Sequence, residues 1–156
     1  MTWSRWAAVG FVVALALAAA CGDSSVPTSA GALDGPVMRY PETASTDEGE
    51  DAEVRGRLEL HGDCLYVALD EIGERYPVVW PAGTTWDADG ERVISPSGSG
   101  MPVGSNVYGG GGYHQVDHVP RMLGAEAEAR AASCVDNAYG EIAFINNGDD
   151  AIGPAE

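Results

Sequence analysis

A mainly β domain, built as a small antiparallel barrel or sandwich with one C-terminal helix and one disulfide, is the fold class that the sequence predicts. From Val54 onward, short apolar alternations are broken by turn residues, which is typical of strands joined by tight connections. The Asp89-Gly90 pair is a strong hairpin-turn signal. Residues 121–133, rich in Ala and Glu, are the one stretch with a helical composition. A barrel of this size would be OB-like.

Short strands account for most of the predicted domain. Residues 54–60 turn back at Gly62 into the strand Cys64–Leu69, which is apolar on both faces and is therefore expected to be central and buried. Residues 76–80 form the next strand, and Pro77 places it at a sheet edge or at the start of the strand. The hairpin turn lies between the predicted strands 84–86 and Arg92–Ile94, and the four consecutive glycines lie between 107–108 and 113–116. The last predicted strand is Glu141–Ile145.

Residues 1–20 carry the features of an export signal, a short basic start followed by an apolar run that ends in small residues. This run is shorter than the roughly 20 residues that span a bilayer core. The sequence Ala18-Ala19-Ala20 before Cys21 resembles a bacterial lipobox, although Leu17 lies one place earlier than the commonest form has it. The alternative is an ordinary secretory signal that is cleaved directly before Cys21 and leaves a free thiol there.

Both alternatives export the protein. The lipobox predicts a palmitate-bearing Cys21 as the mature N-terminus, anchored to the outer face of the cell membrane. Residues 21–53 are rich in Ser, Thr, Pro, Gly and acidic side chains, so we expect a disordered acidic linker in which Met38-Arg39-Tyr40 is the one segment able to dock on the domain. The β domain then spans residues 54–146, and residues 147–156 form a flexible tail.

The charge balance narrows the range of partners. Asp and Glu number 24 against 8 Lys and Arg, a formal net charge of −16, and every one of the basic residues is Arg. Such a surface repels phosphate backbones and anionic headgroups, so nucleic acid is not expected as a partner. Membrane association is expected to come from the lipid alone, and the partner to be an envelope protein or a small ligand.

Three local patterns together resemble a group of small exported lipoproteins of unassigned activity from high-GC Gram-positive bacteria. They are a Gly-x-Leu…Gly-x-Cys-Leu pattern ending at Leu65, the sequence Val-Val-Trp-Pro-Ala-Gly-Thr at 78–84, and the glycine-rich stretch 103–112. The resemblance covers residues 55–146. It implies a fold, and it assigns no function.

The cysteine count predicts a disulfide. With Cys21 lipidated, Cys64 and Cys134 remain as an even pair in an oxidising compartment. The alternative is a redox role, but the chain has no Cys-x-x-Cys motif. We therefore expect a structural bridge between the predicted central strand and the C-terminal helix.

His114, Asp117 and His118 are the candidate metal ligands of a metal-dependent hydrolase. Histidines four residues apart meet on a helix, but in an extended strand they lie about 13 Å apart, too far to share one ion. Because this segment follows four glycines and contains two valines, we expect it to be extended. A shared metal would require a turn between the two histidines.

Other motifs also have a structural explanation. Residues 109–112, all glycine, could cradle an anion, but no P-loop Lys follows them, and a bulge or tight barrel crossing explains them better. Asp87-x-Asp89-Gly90 resembles the start of a calcium loop whose later ligands are absent, so a turn is expected. Ser99 lies in Gly-Ser-Gly without the flanking pattern of a nucleophile elbow.

Exposed aromatic rings are the remaining candidates for recognition, since they offer a large contact area at a small entropy cost. The candidate ligand-binding residues are Trp80, Trp86, Tyr108 and Tyr113, with core packing as the alternative for each. With no assembled catalytic set and no predicted cofactor, the leading hypothesis is a non-enzymatic binding or interaction module of the cell envelope.

Overall fold

Five strands close into a barrel in the computed structural model, which describes residues 33–43, 50–119, 123–148 and 152–155. The elements, in chain order, are β1 (Leu33–Asp34), β2 (Val37–Arg39), β3 (Ala52–His61), β4 (Cys64–Leu69), β5 (Glu74–Trp80), β6 (Thr85–Asp87), β7 (Arg92–Ile94), β8 (Gly100–Pro102), β9 (Asn106–Gln115), α1 (Ala125–Cys134), β10 (Glu141–Ile145) and β11 (Ile152–Pro154). A 3₁₀ turn, Val116–His118, follows β9.

The barrel runs β3–β4–β5–β10–β9 and returns to β3. Its neighbouring strands are antiparallel except for β5 and β10, which are parallel. This is a closed five-stranded barrel of the OB type, and it confirms the predicted mainly β fold with a helix and a disulfide. The helix α1, Ala125–Cys134, falls in the stretch predicted to be helical, of which residues 121 and 122 lie outside the described part of the chain.

Two apolar clusters stabilise the domain, because the barrel strands bury side chains on both faces. The inward-facing side chains of β3, β4, β5 and β10 form the barrel core, which includes Leu58, Val67 and Trp80. On the outer face of β5 and β10, Val79 and Phe144 pack against the buried Ala face of α1. The helix therefore covers one side of the barrel and leaves β3 without a helical cover.

Pro77 does not place β5 at an edge, contrary to the sequence prediction. This strand pairs with β4 through residues 74–77 and with β10 from Val78 onward. Pro77 is paired only with Tyr66 of β4, because the pairing of β5 with β10 begins one residue later, at Val78. The proline therefore lies where β5 has a paired strand on one side only.

The expected linker and tail boundaries are wrong for part of each segment. Strand β2 lies parallel to β5, with Val37 in the barrel core and Met38 under α1, both fully buried. The alternation of these two side chains fills both clusters, which is why residues 33–40 join the domain. Strand β11, in the expected tail, pairs with β9. The export signal, Cys21 and the linker residues 22–32 and 44–49 lie outside the described residues.

Strands β6, β7 and β8 form a separate three-stranded meander inserted between β5 and β9. Its side chains Val93 and Met101 are fully buried and belong to the barrel core. The β6–β7 connection is the predicted hairpin turn, in which the Gly90 N–H donates to the Asp87 carboxylate at 3.2 Å.

A disulfide joins Cys64, the first residue of β4, to Cys134, the last residue of α1, with their Cα atoms 5.7 Å apart. The predicted bridge is thereby confirmed. Beside it the Tyr66 hydroxyl donates to the Cys134 carbonyl oxygen at 2.8 Å. No helix among the described residues combines the length and the apolar character needed to cross a bilayer.

Candidate functional site

A groove of about 630 Å³ lies where β3 separates from β4. Strand β4 pairs with residues 57–61 of β3, whereas residues 52–56 pair with β9 alone. The connection between β4 and β5, residues 70–73, lies across the gap. We call this opening the β3 groove; its lining includes Glu53, Arg55, Gly56, Arg57, Leu69, Asp70, Glu71, Ile72, Tyr108 and Tyr113.

Apolar side chains are unusually accessible in the β3 groove. Ile72, in the β4–β5 connection, is 60% exposed, and Tyr108, on β9, is 54% exposed. In the described part of the chain three large hydrophobic side chains are exposed, Ile72, Tyr108 and Tyr139, and the first two line this opening. Neighbouring exposed apolar groups of this kind are characteristic of interaction sites, whereas single ones are ordinary.

Tyr113 connects the groove to the barrel core. Its ring packs edge-on against that of Tyr76, with centroids 4.8 Å apart. Burial, with smaller contributions from Tyr76 and Glu53, raises the pKa of the Tyr113 hydroxyl, so this hydroxyl stays protonated at neutral pH. It is a neutral hydrogen-bonding group at the inner wall of the groove.

Arginine–carboxylate pairs form the polar rim. Arg57 contacts Asp70 across the gap through two hydrogen bonds of 2.8 and 3.3 Å, and it also pairs with Glu59 at 2.7 Å. Arg55 pairs with Glu53 at 3.0 Å. The hydrogen bonds from Arg57 lower the pKa of the Asp70 carboxyl, which is therefore ionised at neutral pH. These pairs are exposed, so they fix side-chain positions more than they stabilise the fold.

A second opening of about 380 Å³ lies on the other side of Asp70 and is shared by β3, β4, β5 and the segment after α1. Asp136 forms an ion pair with Arg75, whose guanidinium lies 4.9 Å from the centroid of the Tyr66 ring. The amide of Asn137 donates to the Arg75 carbonyl oxygen at 3.2 Å and to the Glu141 carbonyl oxygen at 2.7 Å. These contacts hold the segment after the disulfide over β5. The opening is smaller than the β3 groove, and its lining is mainly polar.

The four predicted aromatic residues have different environments. Trp80 is fully buried in the barrel core, and Trp86 is half-buried against that core, so neither lines the β3 groove. Tyr108 and Tyr113 both line it. The two tryptophans therefore pack in or against the core, as the alternative explanation for each ring predicted.

The segment containing His114, Asp117 and His118 is not extended throughout. Strand β9 ends at Gln115, and the Val116 N–H donates to the Gly140 carbonyl oxygen at 3.0 Å, which starts the 3₁₀ turn. The rings of His114 and His118 consequently lie 5.5 Å apart between centroids, and the expected 13 Å separation is wrong.

The immediate partner of His114 is the carboxylate of Glu50, which is not among the predicted metal ligands. The His114 Nε2 atom lies 2.5 Å from the Glu50 carboxylate, and its ring packs edge-on against Phe144. Asp117 contacts His118 only at 3.8 Å, and its side chain is exposed. Among the described residues no three His, Cys, Asp or Glu side chains are placed to share one metal ion.

The remaining motifs are explained by their local contacts. Glycines 109–112 lie within β9 and pair with β3, β10 and β11, so their amides belong to a sheet and form no anion cradle. Asp87 accepts from Arg92 at 2.7 Å within the hairpin. Ser99 donates its backbone N–H to the Ser95 hydroxyl, and its own hydroxyl lies near that of Ser97.

Ile72, Asp70 and the arginines of β3 were missed as site residues. A signal for the arginines was present, because Glu53, Arg55, Arg57 and Glu59 occupy alternate positions and share one face of a strand. That Ile72 and Tyr108 line the same groove depends on the closure of the barrel and has no local signal. The chain matches no protein-family model, no curated protein and no solved structure.

Proposed function

We propose that this chain is a lipid-anchored protein of the cell envelope whose barrel is a non-enzymatic binding module, with the β3 groove as its binding site. The observation that carries the proposal is the exposure of both Ile72 and Tyr108 in the lining of one opening. Exposed apolar side chains bordered by fixed polar groups favour association, since burying them releases water while the rim confers selectivity.

The charge of the chain supports a neutral or basic partner. Its net charge of −16 opposes the approach of polyanions, and the rim of the groove carries the carboxylates of Glu53, Asp70 and Glu71 against two arginines. A cationic partner is steered toward this surface, an uncharged one is not opposed, and an anionic one is repelled.

A photo-crosslinking amino acid in place of Tyr108 tests the binding site in the cells that naturally make the protein. Tyr139 is the matched control, since it is similarly exposed, at 58%, but does not line the β3 groove. We expect a discrete adduct from position 108 and none from position 139. No adduct from position 108, or equal adducts from both positions, would contradict the proposed site.

The anchor has an independent test. Mass spectrometry of the mature N-terminus is expected to find a diacylated Cys21, and Cys21→Ser is expected to release the protein into the medium. An unmodified thiol at Cys21 would favour the ordinary secretory signal and remove the lipid from the proposal, while leaving the groove untouched.

A further inference from the structure

We infer that the β3 groove binds an extended peptide segment, neutral or basic, that adds to the free edge of β3 as an antiparallel or parallel strand. This inference rests on the proposed function, because it names the class of ligand for the same groove. It is carried by the backbone geometry of β3 together with the side chains around it.

Half of β3 has a strand neighbour on one side only. Residues 52–56 pair with residues 107–111 of β9, and on the opposite side the pairing with β4 begins only at Arg57. In the described part of the chain no strand is registered beside residues 52–55 on that side, while the Ala68 carbonyl oxygen of β4 lies against Gly56. The 630 Å³ groove is lined by Glu53 and Arg55 of this segment, by the β4–β5 connection and by Tyr108 of β9.

The direction of the backbone groups follows from the register. Leu58 donates its N–H to the Ser105 carbonyl oxygen at 2.8 Å and accepts from the Gly104 N–H at 2.7 Å, so its backbone groups point toward the β9 side. Backbone groups alternate in direction along a strand, and the register with β9 is continuous from Arg57 back to Ala52. The N–H and C=O groups of Glu53 and Arg55 therefore point into the groove.

Two donors and two acceptors in alternation along a strand edge match the backbone of another extended chain, which is the basis of recognition by strand addition. Unpaired strand edges invite such pairing unless charges or bulges discourage it. Here the charges of Glu53 and Arg55 neutralise each other through their 3.0 Å ion pair. These charges therefore leave the edge open to a peptide, while the net charge of −16 opposes the approach of a second copy of the chain.

Side chains of an added strand would alternate between two surroundings. The lining of the groove offers these side chains the apolar groups of Leu69, Ile72 and Tyr113 and the carboxylates of Glu53, Asp70 and Glu71. The expected ligand therefore alternates apolar residues with Lys, Arg or uncharged polar residues, and it contains few acidic residues.

The test uses the full chain, purified in detergent with its disulfide intact, and a display library of random 12-residue peptides. Enriched peptides are synthesised with a fluorescent label, and their dissociation constants are measured by fluorescence anisotropy. We expect enriched sequences to show the apolar–basic alternation. If no peptide is enriched above background, the inference is overturned.

A backbone change and its side-chain control distinguish strand addition from simple side-chain contact. Arg55→Pro removes an N–H that faces the groove and not β9, and it should weaken binding about tenfold, the effect of losing roughly one hydrogen bond. Arg55→Ala removes the same guanidinium but keeps the N–H, so its effect should be at least threefold smaller. Circular dichroism establishes that each variant is folded.

Peptides N-methylated at alternate residues provide the same test without altering the protein. One methylation register should weaken binding about tenfold or more, while the other should leave it within about threefold. Equal effects of both registers would overturn strand addition. Crosslinking at position 108 would still succeed in that case, so failure of this inference is separable from failure of the proposed function.

Discussion

Gly111 lies so close to Phe144 that a Cβ atom on the glycine would overlap the Phe144 carbonyl oxygen and also press on the Val54 side chain. Gly111 is the one residue of β9 that pairs with both Ala52 of β3 and Ile145 of β10. Three strands therefore meet at this point with no room for a side chain. The glycine run marks the tight crossing that closes the barrel.

Gly111→Ala is expected to destabilise the fold by about 3 kcal/mol, the upper end of the cost of overpacking, because the obstacle is backbone and cannot rotate away. Gly148→Ala is the matched control, since no atom lies within 4 Å of its Cβ position. That change should alter the free energy of unfolding by less than about 1 kcal/mol. Urea unfolding of both variants measures the difference, and similar values for the two would contradict the crossing.

The barrel strands could be predicted from the sequence because their apolar alternation is local. Residues 54–60 and Cys64–Leu69 carry that pattern within themselves, and the glycine run between two short apolar segments indicates a close crossing. The disulfide followed from the cysteine count and the expected compartment. These features do not require knowledge of which strands become neighbours.

What could not be predicted depends on contacts between distant segments. Val37 and Met38 are two apolar residues in a polar stretch, and only their pairing with β5 makes them part of the core. The 3₁₀ turn Val116–His118 begins at a residue whose N–H bonds to the Gly140 carbonyl oxygen, more than twenty residues later. The β3 groove exists because β4 ends its pairing at Arg57, and strand ends are poorly determined by local pattern.

Val37→Ala tests whether β2 belongs to the folded domain. The valine side chain is fully buried in the barrel core, so removing two methyl groups should lower the free energy of unfolding by about 2–3 kcal/mol. Ile72→Ala is a control from an exposed position and should cost no more than about 0.5 kcal/mol. If Val37→Ala has as little effect as the control, residues 33–40 behave as a linker in solution.

Removing the Cys64–Cys134 bridge should lower stability without changing the fold. The bridge closes a loop of about 70 residues, for which chain entropy gives about 4.4 kcal/mol. The double substitution Cys64→Ala/Cys134→Ala is compared with the oxidised wild-type protein by urea unfolding. A loss below about 1 kcal/mol would show that the contacts of α1 and the Tyr66 hydroxyl bond hold the helix without the covalent link.

The ion pair between Arg75 and Asp136 should make a pH-dependent contribution to stability. Hydrogen bonding from Arg75 lowers the pKa of the Asp136 carboxyl in the folded protein. A depressed folded-state pKa stabilises the fold above the unfolded value, near 3.9 for Asp, and the contribution is lost as the pH falls through the folded value. The stability difference between wild type and Asp136→Asn should therefore be constant at pH values well above 3.9 and should shrink progressively as the pH falls below that value.

Because both side chains are partly exposed, this difference should be no more than about 1 kcal/mol at neutral pH. Comparing variant with wild type at each pH cancels the general effect of protonating so acidic a chain. Asp89→Asn, in the exposed β6–β7 turn, removes one carboxylate without touching Arg75 and serves as the control. The wild type could instead keep or increase its advantage over Asp136→Asn below pH 3. That result would show that the asparagine disturbs packing over β5, and that the charge of Asp136 does not stabilise the segment after the disulfide.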